Sequence, residues 1–145
     1  MSTIDVSQTY DISCDCGHVK MTVRGEPKLS LYCHCGSCRE LYAADVLGLT
    51  GWDEENVDLP DDSKLFHHKT DGKEMHRYGC PKCGMTMYGR HKPGIPVIRH
   101  NVFRKNNGGK LPSELAPALH LFYGERVLDI DDDLDKCEDG SAVGL

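Results

Sequence analysis

The chain has 145 residues, 23 acidic against 17 basic, for a formal charge of −6 with the histidines neutral. That length suits one domain with a real core and is short for two. An acidic chain, with its acids dense over residues 53–62 and 129–139, is a poor match for a phosphate backbone, so nucleic acid is set aside as the main partner.

The opening residues, M-S-T-I-D-V-S, show no basic region followed by an apolar one, so no signal peptide is expected. No apolar run approaches the roughly 20 residues needed to cross a bilayer. Eight cysteines, seven of them in C-x-C and C-x-x-C spacing, then read as metal ligands in a reducing cytoplasm rather than as disulfides.

Taken in order, residues 1–11 are expected to be a loose N-terminus, residues 12–130 one domain and residues 131–145 an acidic flexible tail. Period-two alternation at Tyr10, Ile12 and Cys14, and again at Val19, Met21 and Val23, predicts a strand pair. Gly25-Glu26-Pro27 breaks it, and Leu29, Leu31 and Cys33 deliver the chain from a further strand into L-Y-C-H-C-G-S-C-R. The next stretch suits a helical turn at Ala43 and Ala44 or a strand at Val46 and Leu47. Residues 51–62, with Pro60, predict a surface loop in which Trp52 is an anchor. Asp71-Gly72 predicts a hairpin turn between 65–69 and 74–78. Strands are expected at 85–88, after the Pro93-Gly94 turn at 95–103, and at 118–123, with Gly124-Glu125 turning into Val127-Leu128. Short strands without a sustained helical period predict a mainly β, largely antiparallel domain.

Cys33, Cys35 and Cys38 place three soft ligands within six residues, and Gly36 and Ser37 allow the tight backbone that faces them to one point. Cys14 and Cys16 form C-D-C-G, and Cys80 and Cys83 form C-P-K-C-G, with Gly84 free to turn N–H groups toward the sulfurs. Seven cysteines exceed one tetrahedral site, so two sites are expected. Spacing alone lets either C-x-C join Cys80 and Cys83. Because Cys33, Cys35 and Cys38 already cap one face of an ion, the chemistry favours Cys14, Cys16, Cys80 and Cys83 as the closed clamp. Cys137, in the acidic tail, reads as a free thiol. His67 and His68 need no role on their hairpin.

The order C-D-C-G-H-V, G-E-P, C-H-C-G-S-C-R, Y-G-C-P-K-C-G and P-A-L-H-L-F resembles the glutathione-dependent formaldehyde-activating enzyme family, which also contains centromere protein V. The resemblance runs over roughly residues 12–123. It implies a single-domain, zinc-stabilised antiparallel β-tent, a structural zinc on Cys14, Cys16, Cys80 and Cys83, and a second zinc with an open position on Cys33, Cys35 and Cys38. It also implies a carbon–sulfur lyase activity on adducts of glutathione, or a related thiol, with formaldehyde or another small aldehyde. The chain departs from the pattern after His120, where V-L-D-I-D-D-D-L stands where members commonly carry a tryptophan, and at the acidic loop 53–62.

An ion held by three thiolates is soft enough to accept a fourth sulfur and to keep it as the nucleophilic thiolate. The carboxylates of glutathione need local positive charge, and Arg90, Lys92, Arg99, Arg104 and Lys105 are the dense basic stretch; Arg99 and Arg104 are the candidate contacts. His120 and His34 are the candidate proton carriers. The competing class is a non-catalytic, zinc-stabilised protein-interaction module, separated from an enzyme by access to the second metal; a nucleic-acid-binding zinc ribbon is disfavoured by charge.

Overall fold

The protein is described by a computed structural model, which covers residues 8–91 and 94–145. In chain order it has β1 (Thr9–Ser13), β2 (Lys20–Arg24), β3 (Leu29–Cys33), α1 (Gly36–Tyr42), β4 (Leu47–Gly51), β5 (Val57–Asp58), β6 (Phe66–Lys69), β7 (His76–Gly79), β8 (Thr86–Arg90), β9 (Pro96–Arg99), α2 (His100–Lys105), β10 (Leu119–Leu121) and β11 (Asp135–Lys136), with single helical turns between them. One sheet has the order β1-β2-β5, and the other runs β11-β10-β3-β4-β9-β8-β7-β6. Most neighbours are antiparallel, as period-two segments joined by short turns require. The two exceptions are the parallel pairs of β10 with β3 and with β11.

The alternation of strand side chains sets up two cores. Ile12, Met21, Val23, Trp52, Ile98, Val102, Phe103 and Leu115 fill the first, with Cys14 and Cys80 at its margin. Trp52 is fully buried, donates from Nε1 to the Thr50 hydroxyl at 2.7 Å and lies against Tyr10 and Phe103; losing such a ring costs about 3–5 kcal/mol. The expected anchor therefore holds the core as well as its loop. Leu31, Leu47 and Leu121 fill the second core together with Cys33 and Cys38.

Several predicted elements change character in the fold. The stretch after Cys38 is both a helix and a strand, α1 and then β4. The acidic loop folds as two helical turns around β5, whose Val57 and Asp58 pair with β2. The strand expected over 95–103 ends at Arg99, which is extended and starts α2. Asn106, closing α2, accepts from the Ser13 N–H and donates to the Ser13 carbonyl, so the helix pins the residue before Cys14. Val127 and Leu128 are exposed and outside any strand. The turn expected at Pro93 lies outside the described residues, as do residues 1–7.

Both ends expected to be loose contribute structure. β1 begins at Thr9. In the 131–145 tail, β11 pairs with β10, Cys137 N–H donates to the His120 carbonyl and Gly140 packs under Phe122. Asp132 there meets a cation and an imidazole. On the β6–β7 hairpin, His67 stacks on Tyr78 and hydrogen-bonds His76 at 2.7 Å, an account of this histidine that needs no catalytic role.

Candidate metal centres and active site

Four sulfurs meet where two distant segments converge. The turn after β1 brings Cys14 and Cys16, and the β7–β8 connection brings Cys80 and Cys83. Cys14 and Cys16 Sγ are 3.7 Å apart, and Cys16 and Cys80 Sγ are 3.6 Å apart. Sulfurs about 2.3 Å from one tetrahedral ion lie about 3.8 Å from each other, so the cluster has the size of a zinc site. Backbone N–H groups already face the sulfurs: Val19 donates to Cys14 at 3.3 Å, and Lys82 and Cys83 donate to Cys80 at 3.3 and 3.4 Å. Gly84, at φ 79°, makes the left-handed turn that lets this knuckle close. Burial pushes the Cys14 thiol up, but the Val19 N–H and the other three cysteines more than offset this and hold it at about 6.

Cys33, Cys35 and Cys38 form the second group, all their sulfurs within 4.8 Å of one another. Among the described residues no fourth cysteine, histidine or carboxylate atom joins it, and Cys137, half-buried against the second core, stays apart. The loop is built by α1: Cys35 caps it with its side chain, its Sγ accepting from the Cys38 N–H at 3.3 Å. Hydrogen bonds from Cys33 and Cys38 concentrate negative charge on Cys35, whose pKa falls to about 2, with a small contribution from His91; Cys33 is pushed up to about 11 and Cys38 higher still. Three sulfurs clustered so closely fit a soft cation bound on one face.

The loop is clamped from several sides. Arg39 Nε donates to the His34 carbonyl and its Nη2 to the Glu125 carbonyl, while Glu125 Oε1 accepts from the Gly36 N–H. Lys73, from the β6–β7 turn, pairs with Glu40 at 2.8 Å and reaches Ser37. One flank carries Tyr42 with Arg99 at 4.7 Å and Arg77 at 5.8 Å from the ring centre. Arg77 donates to the Leu41 carbonyl, and Nε of both arginines is buried without a partner. Burial lowers the Arg99 pKa against the pull of Tyr42 and Cys38.

His34 and His120 are brought together, and both are fully buried. His34 is thus no exposed loop residue. Its Nε2 lies 2.8 Å from His120 Nδ1, and His120 Nε2 lies 2.8 Å from Asp132 Oδ2. In the β10–β3 register, Tyr32 sits opposite His120 and Cys33 opposite Leu121. Tyr32 and the imidazoles contact one another, whereas Cys33 and Leu121 share the second core, so the histidines stand on the far face of β3 from Cys33. Burial first, then His120, Arg126 and Arg39, hold the His34 pKa down at about 4.

Of the basic candidates, Arg99 reaches the loop's surroundings. Arg104 lies on α2, where the group it influences is His100. Arg90 pairs with Glu54, and Lys92 is outside the described residues. Sequence reasoning missed Tyr42, Arg77 and Asp132; strand alternation could have flagged Arg77, but no local signal marks a carboxylate twelve residues beyond its histidine.

A family model described as glutathione-dependent formaldehyde-activating enzyme matches residues 9–125. A solved crystal structure of a Rhodobacter sphaeroides protein is similar at 16% identity and a TM-score of 0.47, covering 71% of this chain and 98% of that one. No curated protein matches the chain. The match over most of the length agrees with two cysteine groups that could hold metal ions, and the chain belongs to the glutathione-dependent formaldehyde-activating enzyme family.

Proposed function

We propose that the protein is a zinc-dependent carbon–sulfur lyase of the cytoplasm, acting on adducts of glutathione or a related thiol with formaldehyde or another small aldehyde. The observation that carries this reading is the three-sulfur loop without a fourth protein ligand among the described residues. Zinc bound there would leave a soft position able to hold an incoming sulfur as thiolate. In the synthetic direction the thiol sulfur bonds to the aldehyde carbon, the carbonyl π bond breaks, and the proton lost by sulfur is balanced by one gained at oxygen; cleavage is the reverse.

The chain's own residues supply orientation and charge. Arg99, with Arg77 across Tyr42, offers guanidinium groups without a carboxylate partner among the described residues beside an acidic protein's metal loop. A substrate carboxylate would complete that arrangement. His34, between Cys33 and Cys35 in the chain, and His120 form a buried hydrogen-bonded pair, and we assign them the proton-handling role. The clamp of Cys14, Cys16, Cys80 and Cys83 has no open corner and holds the core ends together.

The test is exchange spectroscopy on glutathione and labelled formaldehyde with zinc-loaded protein. Faster interconversion of free and thiol-bound aldehyde, lost in Cys35→Ser, is the expected result. Interconversion no faster than in buffer overturns the assignment and leaves a zinc-stabilised interaction module.

A further inference from the structure

The family match ends at residue 125, yet the chain beyond it pairs with β10 and reaches His120, which hydrogen-bonds His34 beside the metal loop. Asp132 Oδ2 lies 2.8 Å from His120 Nε2, and Lys136 Nζ lies 2.5 Å from Asp132 Oδ1 and 2.7 Å from the Asp132 carbonyl. The ammonium group keeps this carboxylate ionised, and an ionised carboxylate can only accept. His120 Nε2 must therefore carry a hydrogen. Two wirings follow. If His120 is neutral, its Nδ1 accepts, His34 Nε2 donates and His34 Nδ1 is bare. If His120 is charged, both its nitrogens donate, and His34 turns into the opposite tautomer with its hydrogen on Nδ1.

The surroundings select the first wiring. Both rings are fully buried, which disfavours an added charge on the pair, and the first wiring places none there. His34 Nδ1 is in fact buried with no hydrogen-bond partner.

We propose that Asp132 is a positioning residue for the metal loop: through His120 it fixes His34, the residue between the ligands Cys33 and Cys35, with Nε2 as donor and Nδ1 as bare acceptor. The inference rests on the reading of Cys33, Cys35 and Cys38 as metal ligands, and it makes the segment after residue 125 part of the site. Loss of the carboxylate frees His120 to rotate or change tautomer, and the loop loses its support from behind β3.

The test is two-bond proton–nitrogen correlation spectroscopy of the histidine rings in the full, zinc-loaded chain, with wild type, Asp132→Asn and Asp132→Glu. Wild type should show His34 and His120 both protonated at Nε2 and bare at Nδ1; Asp132→Asn should give a mixed or reversed pattern, and Asp132→Glu should restore it. Zinc titration of the three-sulfur loop should weaken about tenfold in Asp132→Asn, as for other groups that orient a metal site from outside it. A wild-type His34 protonated at Nδ1, or an Asp132→Asn spectrum and zinc affinity equal to wild type, overturns the proposal. Neither readout needs turnover, so failure of the lyase reading is seen separately.

Discussion

The two cysteine groups of this protein differ less in their atoms than in how the chain supplies them. Cys14, Cys16, Cys80 and Cys83 come from segments 64 residues apart and offer four sulfurs; Cys33, Cys35 and Cys38 come from one turn and offer three. A clamp that joins distant segments can exist only in the folded chain, so ion binding there is folding free energy. A local loop capped by its own helix adds little to that linkage and is free to leave a corner open. The difference teaches that ligand count and sequence separation together divide a four-sulfur clamp from a three-sulfur loop, which on the proposed function are the structural and the chemical site.

Breaking the clamp should have the largest effect. Cys80→Ser removes a fully buried ligand, and cooperative thermal unfolding is expected to disappear; a sharp transition near the wild-type midpoint would put the clamp's structural role in error. Cys35→Ser should do the reverse, lowering bound zinc from two ions to one per chain and abolishing turnover while the melting curve stays close to wild type. Metal analysis beside calorimetry reads both variants. A Cys35→Ser protein that unfolds with the clamp variant would erase the distinction between the regions.

A finer division concerns charge beside the loop. Arg99→Ala should raise KM for glutathione about tenfold, equivalent to about 1.4 kcal/mol of binding, and leave KM for uncharged mercaptoethanol unchanged. Equal effects on the two thiols would assign Arg99 to balancing the loop's thiolates instead. The smallest effect lies away from both clusters, at His100. Burial, chiefly, holds its pKa down at about 4, while its Nε2 meets the Ser30 hydroxyl. A β-carbon on Gly48 would stand 2.3 Å from its Nδ1, so the absence of a side chain there makes room for the ring. Because its folded pKa is depressed, its contribution is complete above the ordinary histidine value and is lost as pH falls toward about 4. Urea midpoints should therefore fall less steeply over that interval in His100→Gln than in wild type; parallel slopes would contradict this.

What was legible beforehand follows from locality. Cysteine spacing is a local code, and both ligand groups assemble as read. Alternation revealed the strands, and Asp71-Gly72 placed the β6–β7 hairpin. The switch from β9 to α2 was hidden because Val97, Ile98, Val102 and Phe103 are apolar in either conformation, and burial of Val102 and Phe103 on a helix is a tertiary outcome. The tail misled for a related reason. Its acidic run reads as solvated by composition, but Lys136 and His120 give Asp132 partners that exist only once β11 lies along β10. Tyr42 and Arg77 join the site through α1 packing on strands far away in sequence, a relation no spacing records.

The contrast between a closed and an open metal group is tested most directly by replacing zinc with cobalt and titrating glutathione while following thiolate-to-cobalt absorption. The account predicts a change confined to one of the two sites, absent in Cys35→Ser and retained in Arg104→Ala. A fully loaded protein whose spectrum glutathione leaves untouched would mean that protein atoms saturate both ions, and would contradict it.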